Sequence, residues 1–190
     1  ANPNGHGHNY VVEVTIKGSV SAEHGMVINI ADLDRLLKDQ VLAYYDHKHI
    51  NRQHPVFADN PHLQPTSENI AIQIWDTLAP YLKAAHLHRI RLYEDSTLFA
   101  DYHGEEQMVY LTKTYEFSAS HRLHSQHLSD EENRDVFGKC NNPHGHGHNY
   151  VLEVTIKGEV EPRTGMIANL DFLDEAVQKQ VSARFDHKHL

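Results

Sequence analysis

The chain has one cysteine, Cys140, among its 190 residues. An internal disulfide is therefore impossible, and a single thiol fits a reducing, cytoplasmic compartment. No uninterrupted apolar run comes near the 18 or so residues of a membrane span, and the first residues lack the basic-then-apolar order of a signal peptide. Positive charge is also in short supply: 17 Lys and Arg stand against 26 Asp and Glu, for a formal net charge of −9. With the acids dispersed, that balance argues against nonspecific binding to nucleic acid or to a membrane surface. Apolar residues at 39% and charged residues at 23% are the proportions of a soluble globular protein. The chain does not begin with Met, so an upstream segment is expected.

What the chain has in excess is histidine, 18 residues, many of them in pairs: His6/His8, His47/His49, His86/His88, His146/His148 and His187/His189. Such a content points to metal or proton chemistry. The pairs also expose a repeat. Residues 1–50 align with 141–190 without a gap, and 28 of the 50 positions are identical. The run "GHGHNY" occurs at 5–10 and 145–150, "GM" at 25 and 165, and "DHKH" at 46 and 186. A period of 140 is the size of a small domain rather than of a solenoid unit. The expected organisation is a tandem duplication of about 280 residues seen in part. Residues 1–107 are then a first copy lacking its N-terminal strand, and 108–190 a second copy lacking its C-terminal helix and strands.

Residues 6–17 alternate, with His8, Tyr10, Val12, Val14 and Ile16 on one side, and predict a strand. "VSAEHGMVI" reads as a loop or a short returning strand. From Asn29 the spacing turns helical, with Leu33, Leu36, Leu37, Val41 and Tyr45 on one face and Asn29 as N-cap. Residues 50–65, rich in Pro, His and Asp, read as a loop. A second helix follows from Thr66 or Ser67, with Ile70, Ile74, Trp75, Leu78 and Leu82 facing the core. Two strands around an Asp95-Ser96 turn close the first copy, 105–107 is the linker, and "MVYLTKTYEFSASHRL" opens the second as a strand. One unit is β-β-α-α-β-β, an α+β fold with an antiparallel sheet and two helices on one face.

On a strand, residues i and i+2 share a face, so His146 and His148 point the same way. His121 ends the preceding strand on the alternation Tyr115-Phe117-Ala119-His121. If the two strands pair, three imidazoles meet and leave a fourth position open, which is the arrangement of a catalytic zinc. Cys140 lies six residues before His146, where a neighbouring cation and Lys139 would favour the thiolate; a lone cysteine is otherwise a small core residue. Asp46-His47 and Asp186-His187 follow the helix in each copy. An Asp can orient a His as an acid–base pair, yet adjacent residues in a helix do not face each other, and a solvated helix end explains the motif equally well. Glu94, at a strand end, is a carboxylate suited to two parallel N–H groups, or merely an exposed one.

Taken together, "YEFSASHRL", "FGKCNNPHGHGHNYVLEVTIKG", "TGMIANLDFLD" and "FDHKHL", with "PTSENIAIQIWD" and "RIRLYED" in the first copy, resemble the 6-pyruvoyltetrahydropterin synthase and 6-carboxytetrahydropterin synthase family. The resemblance covers nearly the whole chain in two pieces. It implies the tunnelling fold, in which such units assemble their sheets into a barrel with sites at copy or subunit interfaces, hence a homo-oligomer. It implies Zn2+ and a pterin triphosphate substrate, 7,8-dihydroneopterin triphosphate, from which triphosphate is eliminated. His121, His146 and His148 match the zinc ligands, Cys140 the catalytic thiol, and Asp186-His187 the pair that works with it. In the first copy His6 and His8 match zinc ligands, and Asp46-His47 the relay pair. Glu94 matches the pterin anchor, and Thr66, Ser67 and Glu68 the neighbouring pterin-contacting segment. The first copy shows no cysteine and no third zinc histidine, and the second no glutamate anchor. Five residues between Cys140 and the first His of the run resemble the pyruvoyl type; the carboxy type, which serves deazapurine synthesis, usually has three. One catalytically degenerate copy is a further alternative.

Overall fold

A computed structural model describes residues 7–82, 85–105 and 108–190. The chain forms two compact units, one of Ala1–Lys113 with Thr155–Ile167, the other of Thr114–Val154 with Ala168–Leu190. Strands β4 (Met108–His121) and β5 (His146–Glu159) contribute residues to both. No helix among the described residues is long and apolar enough to cross a membrane.

In the first unit, β1 (Val11–Lys17) runs antiparallel to β2 (His86–Tyr93), with Val11 opposite Tyr93 and a register shift between Thr15 and Ile16. β2 pairs antiparallel with β3 (Leu98–Tyr102), and β3 with β4. Helix α1 (Ile30–Leu37) is capped by the Asn29 side chain, which accepts from the Ala31 N–H. A π-helical turn at Lys38–Leu42 and a last turn, α2 (Ala43–Tyr45), continue it. Residues 50–59 are not loop: they fold as two short helices, α3 (Ile50–Gln53) and α4 (Pro55–Asp59). Pro55 opens the second, where its missing N–H costs nothing. The buried ring of His54 at their junction packs against Tyr45 and Phe57. The "VSAEHGMVI" segment forms turns and bends with no strand.

Helix α5 (Ser67–Leu78) has Thr66 as N-cap, its hydroxyl accepting from the Asn69 N–H. Ile70, Ala71, Ile74 and Leu78 lie buried on its inner face, and Ile90, Leu92, Ala100, Tyr102, Val109 and Leu111 are buried along one face of the sheet. Alternation sends Arg91, Tyr93, Phe99 and Asp101 the other way. There Arg91 grips Asp101 with two hydrogen bonds of 2.7 Å and lies over the Phe99 ring.

The second unit is built on the latter part of β4 and the first part of β5. Ser118 Oγ donates to Asn149 Oδ1 at 2.7 Å, while His121 meets His146, so partner numbers fall as β4 advances and the pairing is antiparallel. Phe117 stacks on Tyr150 at 5.0 Å. Helix α6 (Asp130–Phe137) starts with a reciprocal capping box between Ser129 and Glu132. Helix α7 (Leu170–Val177) has Asn169 as N-cap, then a π-helical turn at Gln178–Ser182 and a last turn, α8 (Ala183–Phe185). A two-residue strand, β6 (Lys188–His189), lies parallel to β4, Ala119 opposite Lys188. The α+β class with its antiparallel sheet is thus as expected, this short parallel contact apart.

Asn133, fully buried, ties down the loop before α6. Its Nδ2 donates to the carbonyls of Ser125, Leu128 and Ser129, and its Oδ1 accepts from the Ser125 N–H. Replacing it with Ala strands these backbone groups out of water, so Asn133→Ala should lose about 2–3 kcal/mol of stability, read as a lower urea midpoint.

Candidate metal centre

The site begins with backbone. Gly145 has φ +68°, and a Cβ there would stand 2.6 Å from His189 Cε1 and 2.8 Å from the His121 carbonyl oxygen. Only glycine lets β5 begin so close to the end of β4. Gly147 is different. A Cβ at that position meets nothing nearer than the Ala119 carbonyl at 3.9 Å, so its place between the histidines is not a steric requirement.

With that pairing, His121 at the end of β4 faces His146 and His148 at the start of β5. His121 Nε2 lies 3.3 Å from His146 Nε2 and 3.1 Å from His148 Nε2. The three ring centroids are 4.5 to 4.9 Å apart. Tetrahedral zinc with Zn–N bonds of about 2.0–2.1 Å holds its ligand nitrogens about 3.3 Å apart, so the spacing is that of a ligand set. Among the described residues these three are the group of metal-ligating side chains that converges this way. Desolvation first, then the neighbouring His148 and His121, holds the His146 ring below the usual histidine range, which favours the neutral form a metal requires. His148 is exposed, leaving the cluster open on one side for a further ligand. His146 Nδ1 is buried with no partner among the described residues, so the outer hydrogen bond that usually orients a ligating imidazole is missing there.

The Asp-His pairs do not sit within a helix. Asp186 is extended, with φ −66° and ψ 130°, directly after α8, and His187 follows in the left-handed region at φ 55°. That bend brings His187 Nδ1 to 3.0 Å from Asp186 Oδ1. β4 fixes the pair: the Ser118 N–H donates to Asp186 Oδ1 at 2.9 Å, and the His187 N–H to the Ser118 carbonyl at 2.6 Å. In the first unit His47 repeats the conformation at φ 54°, with Nδ1 2.8 Å from Asp46 Oδ1. These are the two non-glycine residues with positive φ among those described, and a π-helical turn precedes each. The same strained backbone at the same point of both copies makes this a candidate functional position.

Other expected residues are dispersed. Cys140 stands on a 3₁₀ turn, Gly138–Asn141, half-buried and outside the histidine cluster; its carbonyl accepts from the Leu123 N–H. In the first unit His6 lies outside the described residues. His8 precedes β1 instead of lying on a strand, with Nε2 3.7 Å from Glu94 Oε1. Ser67 Oγ donates to Glu94 Oε2 at 2.7 Å. Thr66 Oγ1 donates to the Gly165 carbonyl. Glu68 is buried, its carboxyl pushed up by desolvation, and Oε1 accepts from the Ile167 N–H. A cavity of about 230 Å³ collects His8, Tyr10, Tyr45, Asp46 and His47 over an apolar floor that includes Ile70 and Ile74. Sequence reasoning missed two tyrosines here. Burial, and then Glu94, pushes the Tyr10 phenol up to about 12; burial raises that of Tyr45, whose hydroxyl has no partner among the described residues. Their alternation with His8 and their helical spacing marked both only as core residues.

Fold and site together define an α+β protein carrying a cluster of three imidazoles able to hold a metal ion. The family model for 6-pyruvoyl tetrahydropterin synthase matches residues 1–105 and 110–190, and the chain belongs to that family. It is similar to 6-pyruvoyl tetrahydrobiopterin synthase of Poecilia reticulata, 53% identical over 85 residues, which are 45% of this chain and 58% of the relative. The Homo sapiens enzyme of the same description is 49% identical over 87 residues, 46% of this chain and 60% of its own length. A solved structure of Caenorhabditis elegans 6-pyruvoyl tetrahydropterin synthase aligns at 48% identity and a TM-score of 0.42, covering 44% of this chain and 59% of that one. The chain thus spans a little over half the length of these relatives.

Two outcomes follow from this geometry. His121→Ala and His148→Ala should each weaken zinc binding by more than the roughly 10–100-fold that loss of an outer-shell partner costs, read by competition with a chromophoric chelator. Asp186 gives a pH dependence. The Ser118 N–H first, and then the His187 ring, holds its carboxyl below the usual carboxylate range. A depressed carboxyl stabilises the fold above its unfolded value, about 3.9, and that contribution is lost as pH falls through the lower folded value. The urea midpoints of wild type and Asp186→Asn should differ between pH 5 and 7 and converge on acidification below about pH 4.

Proposed function

We propose that this chain belongs to a zinc-dependent synthase that converts 7,8-dihydroneopterin triphosphate to 6-pyruvoyltetrahydropterin with elimination of triphosphate. The observation that supports this best is the convergence of His121, His146 and His148 at 3.1 to 3.3 Å in a chain of this family. Three neutral imidazoles with an open side suit zinc. When bound, zinc supplies Lewis-acid polarisation of an oxygen, which acidifies the adjoining C–H.

The conversion is redox-neutral overall. As triphosphate leaves, the side chain rises to the diketone level while the pterin ring takes up hydrogen, so no outside oxidant is needed. The protein's task is proton movement. Cys140, as thiolate, takes a proton from the side chain. His187, oriented through Nδ1 by Asp186, exchanges protons from the opposite nitrogen, and Asp46-His47 does the same in the first copy. Glu94, steadied by Ser67, offers carboxylate oxygen to the paired N–H groups of the pterin, with Thr66 and Glu68 beside it. The chain is read as part of a tandem: copy one over 1–107 and copy two over 108–190. Its subunits are read as a homo-oligomer in a reducing compartment, contributing to one another's sites.

Full-length protein loaded with zinc should release triphosphate from 7,8-dihydroneopterin triphosphate. Cys140→Ala should be slower by about 10²–10⁴-fold at unchanged zinc content. No release by wild type, or full activity in Cys140→Ala, rejects the reading. Mass spectrometry of the product separates pyruvoyl from carboxy chemistry, and about one zinc per full-length chain instead of two marks a degenerate copy.

A further inference from the structure

The first unit buries a histidine that the proposed mechanism does not use. His54 is 5% exposed and stands where two short helices meet. Its N–H donates to the Ile50 carbonyl and closes α3, while its carbonyl accepts from the Ala58 N–H and opens α4. Helices of four and five residues are not stable by themselves, so both depend on what their junction buries. That is His54 together with Phe57. The His54 ring centroid lies 4.4 Å from that of Tyr45 and 5.1 Å from that of Phe57.

These surroundings suit a neutral imidazole and not a charged one. The rings that face His54 are Tyr44 and Tyr45 from α2 and Phe57 from α4. The charged side chains of the packed helices, Arg52 of α3 and Asp59 of α4, are both exposed, and α2 has none. His54 Nδ1 is buried with no partner among the described residues. The charged ring carries an N–H at each nitrogen and would seal that one in without an acceptor. Burial accordingly holds the ring below the usual histidine range. Aromatic faces attract a cation, but less than it costs to take that cation out of water. A histidine kept neutral in this way stabilises the fold above its unfolded value, about 6.5, and the contribution is lost as pH falls from there toward the lower folded value. The loss reaches the candidate site, because Tyr45 of α2 and Ile50 of α3 line the 230 Å³ cavity together with Asp46 and His47.

We infer that His54 is a pH-sensitive latch: protonation expels its ring from between Tyr45 and Phe57, opens α3 and α4, and removes one wall of the cavity that holds Asp46 and His47. The latch rests on this packing alone; the cavity's part in pterin chemistry rests on the function proposed above.

Hydrogen–deuterium exchange on the full chain, corrected for intrinsic exchange, tests it in wild type and His54→Phe at about pH 7.5 and about pH 5. Phenylalanine keeps an aromatic ring at the junction and takes no proton. One proton shifts an opening equilibrium by at most about tenfold per pH unit, so wild-type protection over 50–59 should fall by about tenfold at the lower pH. Helix α5 should keep its protection, and His54→Phe should hold 50–59 within about twofold. His47 and His49 are exposed, lie just before this segment and remain in the variant, so they serve as the internal control. Equal losses in wild type and His54→Phe, or no loss in wild type, overturn the latch. If circular dichroism shows that His54→Phe does not fold, NMR titration of the His54 ring in wild type decides. A midpoint below about 6.5 supports the latch, and one at or above it overturns the latch. None of these readouts uses turnover, so the synthase reading stands or falls separately.

Discussion

The register between β4 and β5 is the constraint on which the candidate metal centre depends. Ser118 opposite Asn149 sets it, and Phe117 stacked on Tyr150 stabilises it one residue further on. With this register His121 meets His146 and His148. Because side chains alternate along a strand, a slip of one residue would turn both β5 histidines to the opposite face. The histidine cluster is thus a consequence of strand pairing, and a few ångströms of donor geometry are held by side-chain contacts a few residues away.

The same stretch of β4 holds the Asp186-His187 pair. Ser118 uses its side chain to fix β5, its N–H to hold Asp186, and its carbonyl to accept from His187. One small residue therefore coordinates two candidate functional groups. The left-handed backbone at His187 is the condition for this. An extended or helical His187 would carry its ring away from Asp186, and the surrounding hydrogen bonds offset the cost of the strained conformation.

What could be read in the sequence divides along physical lines. Strands half-buried on a sheet carry a period of two, so 113–121 and 146–157 were legible, and with them the histidine triad. Side-chain caps are local, so Asn29 and Thr66 were legible too. Residues 50–59 were not. Their helices are short, and what secures them is the tertiary burial of His54 against Tyr45 and Phe57, which no local pattern announces. The Asp-His pairs were legible as a motif but not as a contact, since sequence spacing carries no sign of a positive φ.

The two copies of "GHGHNY" separate sequence from context. At 145–150 the hexapeptide enters β5 at His146, because the end of β4 pairs with it. At the other copy, residues 7–10 are outside any strand, and β1 begins only at Val11, where Tyr93 of β2 lies opposite. The side of β1 that corresponds to β4 has no paired strand among the described residues. Among the described residues, the second copy of the motif therefore enters a cluster of three imidazoles, while His8 of the first meets Glu94. The histidines supply the chemistry, but the neighbouring strand and its terminal His121 turn them into a site. For the first copy, then, a metal site needs two things together: a ladder partner along 6–10, and a third imidazole at the end of that partner.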